Sequence, residues 1–181
     1  MPARLGVFIL WLIHFLPFRV IVAIGNGIGS LLYLLAAERR RVGAINLKLC
    51  FPGLSDEARG ELLRGHFRMF VRGLIERSIL WWASAERISR LIRVEGVEHF
   101  DAVMGKPAIL LTPHFVGMDA GGQWVAQHTD TVCMYANQKS RYLTELLLKK
   151  RARFRNQRLY SRQQGLRPIL KGMREGCPFI Y

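Results

Sequence analysis

The chain is predicted to be an α/β protein: a membrane-anchoring N-terminal helix and long helices, followed by a mainly parallel sheet with flanking helices, the sheet incomplete. Three observations carry this expectation. Residues 5–18 and 20–37 are apolar stretches parted by Arg19, and the second is long enough to approach a membrane span. Residues 56–83 place apolar side chains at helical spacing. From residue 93 onward, short apolar runs alternate with helical patterns, as a parallel sheet with crossover helices requires.

The N-terminal stretch comes first in chain order. No small-residue cleavage site precedes a polar mature chain, and Glu38-Arg39-Arg40-Arg41 follows directly, so an uncleaved anchor whose far end faces the cytoplasm is expected. The alternative is a buried hairpin of two core helices broken at Pro17. Gly25 and Gly29 form a small-xxx-small pair, which points to close helix packing. The division expected is a membrane anchor over 1–38 and a second domain over 39–181.

A short amphipathic helix over 42–49 breaks at Phe51-Pro52-Gly53. Ser55 then offers an N-cap with Asp56 and Glu57 in the first turn, and the helix over 56–83 has one apolar face reaching Trp82. Trp81 and Trp82 read as core, with a membrane interface as the competing placement. Further on, the runs 93–95, 97–104, 108–112, 119–127 and 132–135 alternate in type. Residues 108–112 read as a buried strand, 119–127 as a helix, 144–155 and 166–175 as further helices, and 178–181 as the start of another strand. A pattern that stops inside a strand suggests a truncated frame or a fragment.

His114 and Asp119 close the most informative segment. Residues five apart on one helix point roughly 140° from each other, so the pair meets only across a turn. With His114 at a strand exit and Asp119 at a helix start, the carboxylate is favoured by the helix dipole. It can also orient one imidazole nitrogen, leaving the other as a general base. Gly117 within the turn, and Gly121 with Gly122 after it, allow a bend and close approach of a substrate. The bland reading is a capped helix beside a hydrogen-bonded histidine. His14, His66, His99 and His128 have no acid at this offset, and structural or surface roles are expected for them.

The net charge is +14, and residues 139–174 hold twelve Lys or Arg against one acid, Glu145. That density predicts polyanionic partners, and an apolar anchor would hold it against anionic membrane lipid rather than nucleic acid. A solvated basic helix is the plain alternative. Cys50, Cys133 and Cys177 have neither CxxC nor His-bracketed spacing, so no disulfide framework and no metal site is expected. Phosphate-loop and GxSxG motifs are absent from the sequence, and no cofactor is called for.

Several segments together resemble the bacterial lipid A biosynthesis acyltransferases of the lysophospholipid acyltransferase superfamily. They are the apolar N-terminus, Arg39-Arg40-Arg41-Val42 with Ile45-Asn46-Leu47-Lys48-Leu49-Cys50-Phe51-Pro52, the strand leading into His114-Phe115-Val116-Gly117-Met118-Asp119, and Ser161-Arg162-Gln163-Gln164-Gly165-Leu166-Arg167-Pro168. The resemblance implies acyl transfer from acyl carrier protein to a hydroxyl of a lipid A precursor at the cytoplasmic face of the bacterial inner membrane. It implies His114 as general base and Asp119 as its supporting carboxylate. It also implies an arginine for acceptor phosphate or the thioester oxyanion, with Arg153 the best match, Arg151 and Arg155 in competing register, and Arg162 and Gly117 as further substrate contacts. Two alternatives remain open: a catalytically inactive, membrane-binding remnant, and an acyltransferase acting on another glycolipid.

Overall fold

In the computed structural model, which describes residues 2–181, the apolar N-terminal sequence forms two helices, α1 (Pro2–Ile13) and α2 (Phe18–Leu35). Pro17 lies between them at φ −56° and ψ 143°, since proline disfavours helix in the residue before it and cannot continue one itself. α3 (Ala37–Cys50) and α4 (Asp56–Trp82) follow. The Ser55 hydroxyl accepts from the Ala58 amide at 3.1 Å, the N-cap expected from sequence. The chain divides into two units, Met1–Ile79 and Leu80–Tyr181, with the boundary inside α4.

Within the first unit, α2 buries one narrow stripe, Ile21, Gly25 and Gly29. The two glycines let it approach α4 backbone to backbone. A Cβ on Gly29 would lie 2.5 Å from the Arg68 Cα and 2.7 Å from the Phe67 carbonyl oxygen, and one on Gly25 would lie 2.8 Å from the Arg72 Cα. The small-xxx-small pair therefore packs as its spacing predicts. α4 answers with Leu63, Phe67, Val71 and Ile75, buried at intervals of one helical turn, and Phe67 meets Tyr33 edge to face at 5.5 Å. The rest of α2 is uncovered: Ile28, Leu31, Leu34 and Leu35 are exposed. Among the described residues it is the one helix long and apolar enough to cross a membrane.

The second unit begins with the last turn of α4 and runs through α5 (Ala85–Leu91), α6 (Val97–Asp101), β1 (Ile109–Leu110), α7 (Met118–His128) and β2 (Thr131–Tyr135). After these come α8 (Arg141–Arg151), β3 (Gln157–Ser161), α9 (Arg167–Arg174) and β4 (Phe179–Ile180). All sheet pairings are parallel, in the order β1-β4-β2-β3. β4 therefore sits between β1 and β2 although both precede it in sequence. Its core is Val132, Ile169, Cys177 and Phe179, each at most 7% exposed, with Met134, Tyr160 and Met173 packed around them. Full burial of each of the large aliphatic or aromatic members contributes about 1.5–3 kcal/mol. Gly172 lets α9 settle on β2, since a Cβ there would meet the Val132 side chain at 2.7 Å.

Several expectations are corrected. Residues 108–112 do form a ladder, with Phe179 donating to Ala108, Tyr181 to Leu110 and Thr112 to Tyr181, but β1 is an edge strand and not a buried one. Ile109 and Leu111 are 60% and 78% exposed because one face of that edge has no cover. Residues 93–95 join no strand. α8 starts at Arg141, where Ser140 caps it, and stops at Arg151, leaving room for β3, which the sequence pattern did not announce. For Trp81 and Trp82 the core reading agrees with the structure: Trp81 is buried, and the half-buried Trp82 ring carries the Lys150 ammonium 4.7 Å from its centroid.

Substituting Gly29→Leu should force α2 off α4 and cost about 1–3 kcal/mol, read as a lowered thermal midpoint in detergent. Gly27→Ala, with open space around its position, should leave the midpoint unchanged. Maleimide labelling of the native protein should modify the exposed Cys50 first. Cys133, whose thiol pKa burial pushes up, should follow slowly at neutral pH, and the buried Cys177 should react only after denaturation, as followed by mass spectrometry.

Candidate active site

β1 delivers the chain into a loop, residues 111–117, and α7 takes it away. His114 stands exposed in that loop, and Asp119 is in the first turn of α7, so the pair is split across a strand-to-helix turn as the five-residue spacing requires. Short-range bonds shape the turn: the Phe115 amide donates to Pro113 at 2.8 Å, Met118 to Phe115 at 3.1 Å, and Ala120 and Gly121 both to Gly117. Gly117 has φ −80° and ψ 2°, a conformation open to any residue, so the bend does not depend on glycine. What glycine leaves there is room, because a Cβ on Gly117, Gly121 or Gly122 would meet nothing within 4 Å.

Asp119 pairs with Arg151, with Nη2 3.8 Å from Oδ1. At that separation the contact is an ion pair and not a hydrogen bond, and it contributes only about 0.2–1 kcal/mol to stability. Its importance is positional. Both side chains are half-buried beside α7, and Gln123 on the same helix donates to the Lys150 carbonyl at 3.1 Å, which locks the end of α8 there. Arg151 is also the cation that opposes the burial-driven rise of the Cys133 thiol pKa, which puts its charge near β2.

The neighbouring arginines are engaged elsewhere. Arg153 donates from Nη1 to the Leu80 carbonyl at 2.9 Å and from Nη2 to Ala83 at 2.6 Å, satisfying acceptors left open at the C-terminus of α4. Burial lowers the pKa of its guanidinium, the usual penalty on a desolvated cation. Arg155 donates from Nε to the Gln127 carbonyl at 3.0 Å, at the C-terminus of α7, where a cation complements the helix dipole. Arg162 is exposed in the 3₁₀ turn Arg162–Gln164 at the carboxyl end of β3. β3 lies three strand positions from β1, roughly 14 Å at the usual interstrand spacing, so the sheet does not bring Arg162 to His114.

The remaining histidines take local roles. His14 bonds the Trp11 carbonyl, and His128 donates from Nδ1 to the Trp124 carbonyl at 2.7 Å. His66 stacks on Phe70, and His99 lies beside Glu98. Among the described residues no group of His, Cys, Asp and Glu is disposed to hold a metal ion.

The sequence model of the bacterial lipid A biosynthesis acyltransferases matches residues 2–181. The lipid A biosynthesis lauroyltransferase of Escherichia coli K12 is 32% identical over 133 residues, covering 72% of this chain and 44% of that protein. The palmitoleoyltransferase of the same organism is 24% identical over 94% of this chain and 56% of its own length. A lipid A biosynthesis acyltransferase of Haemophilus influenzae is 28% identical over 94% and 55%. The chain thus spans about half the length of the curated relatives it matches. A match running through both units and across the turn that holds His114 and Asp119 means that the chain belongs to the bacterial lipid A biosynthesis acyltransferase family.

Proposed function

We propose that this chain transfers a fatty acyl group from acyl carrier protein to a hydroxyl of a lipid A precursor, at the cytoplasmic face of the inner membrane. The observation that carries this reading is the site turn: an exposed histidine leaving a strand, and a carboxylate in the next helical turn with an arginine beside it. His114 takes the proton of the acceptor hydroxyl. The oxygen attacks the thioester carbonyl, the C–S bond breaks, and the carrier thiolate recovers the proton from the imidazolium. Asp119 orients and supports that imidazolium. Arg151 holds five N–H donors on a planar fork, so its pairing with Asp119 leaves donors for an oxyanion or a phosphate oxygen.

Arg151 is preferred over Arg153 and Arg155 for this role, because those two guanidiniums already serve helix ends. Leu111, Phe115 and Val116 flank His114 as exposed apolar side chains suited to an acyl chain. Residues 1–38 act as the membrane anchor and 39–181 as the catalytic domain; the support is the uncovered apolar surface of α2 and the Glu38-Arg39-Arg40-Arg41 run just beyond it. The basic density over 139–174 suits an acidic carrier protein, a phosphorylated acceptor and anionic membrane lipid alike.

The test is acyl transfer from a panel of acyl carrier protein thioesters to a tetraacylated lipid A precursor in detergent micelles. His114→Ala should lower turnover by about 10²–10⁴-fold; equal turnover in wild type and variant, or none from well-folded wild type, refutes the reading. Arg151→Gln should depress activity with little change in thermal midpoint. Arg153→Gln should do the reverse, losing about 1–3 kcal/mol of stability from two charge-assisted bonds while the surviving folded protein keeps its rate.

A further inference from the structure

The first unit holds a cleft of about 560 Å³ where α2 ends, and the proposed acyl-transfer chemistry makes no use of it. One wall is a single face of α3: Ala37, Arg41, Ala44, Ile45 and Lys48 recur at intervals of three and four residues, so they line one stripe of that helix. The facing wall is the start of α4, where Gly60 leaves space and Leu63 closes the floor, and Tyr33 in the last turn of α2 completes it. Four cations and one carboxylate border the space.

These charges are not equivalent. Arg40 donates to the Tyr33 and Leu34 carbonyls at 2.5 and 3.0 Å, closing the end of α2. Arg59 binds Asp56 at 2.6 Å and the Phe51 carbonyl at 3.0 Å, and this pairing holds the Asp56 carboxyl below its ordinary pKa. Asp56 is therefore ionised and answered at neutral pH. With Asp56 answered by Arg59, the cleft keeps the charges of Arg40, Arg41 and Lys48; the Arg40 donors are turned to backbone carbonyls, whereas Arg41 and Lys48 are exposed and make no hydrogen bond or ion pair among the described residues, so these two are left to meet a ligand.

We infer that this cleft is a binding site for an anionic phospholipid, whose phosphate is held between Arg41 and Lys48 and whose acyl chains run over the Tyr33 and Ile45 side of the cleft toward the exposed face of α2. Two observations select a lipid over free phosphate. The cations border an apolar floor, not a polar cup, and the cleft opens at the last turn of an 18-residue apolar helix, at the depth where headgroups lie if α2 spans the bilayer. The inference rests on that membrane placement of α2.

The experiment is native mass spectrometry of the full chain from detergent micelles containing equal phosphatidylglycerol and phosphatidylcholine. One phosphatidylglycerol should be retained preferentially, and Arg41→Gln with Lys48→Gln should reduce that retention by at least about tenfold, near 1 kcal/mol per cation removed. Arg90→Gln with Arg93→Gln, exposed cations of the second unit outside the 139–174 stretch, should not change it. Equal retention of both lipids, retention unaffected by the Arg41 and Lys48 changes, or displacement by millimolar inorganic phosphate would overturn the inference. Alkaline extraction of the wild-type chain from membranes tests the placement of α2 separately, because it reads insertion irrespective of what fills the cleft.

Discussion

Residues 178–181 hold the position of His114. β1 is only two residues long and lies at the sheet edge, so its hydrogen bonds to β4 are its whole share of the sheet. β4 in turn is pinned on its other side, where the Val132 amide donates to the Pro178 carbonyl at 3.0 Å, and from within by burial of Cys177 and Phe179. The loop that carries His114 is aimed by the hydrophobic core through one narrow ladder. β4 itself is paired on both sides, to β1 and to β2.

A second organising element is the sorting of guanidinium groups by helix polarity. Along residues 151–155 the alternate positions meet three different partners: a carboxylate in the first turn of α7, carbonyls at the end of α4, and a carbonyl at the end of α7. Each choice follows from where unsatisfied carbonyls and negative charge occur on helices. The basic stretch is thus not all solvated surface. Some of its charge is internal scaffolding that fixes the ends of α4, α7 and α8, and α7 is the helix on which Asp119 rides.

The sequence revealed those elements whose periodicity is strong and whose boundaries carry their own chemistry. α4 was legible from its apolar spacing and the Ser55 cap, and the α2–α4 contact from Gly25 and Gly29. The turn between His114 and Asp119 followed from helical geometry alone. By contrast β3, Gln157–Ser161, has no apolar run and every side chain half-buried, so a period-2 or all-apolar template passes over it. The exposure of Ile109 and Leu111 was hidden because an edge strand and a central one share the same composition. The roles of Arg151, Arg153 and Arg155 were equally hidden, since neighbouring identical side chains differ only in which backbone carbonyls the fold brings to them.

Placing β4 between β1 and β2 also sets an order of assembly. Ile109 pairs with Phe179, so β1 waits for most of the second unit to be synthesised before it has a neighbour. At a translation rate of about 5–20 residues per second, the gap from β1 to β4 lasts roughly 4–14 s. β2 and β3, which pair directly through one crossover, have that interval to themselves. On the ribosome the histidine loop is therefore set in place only once β4 has emerged, well after α2 and α4 are made, and until then the ladder that aims His114 does not exist.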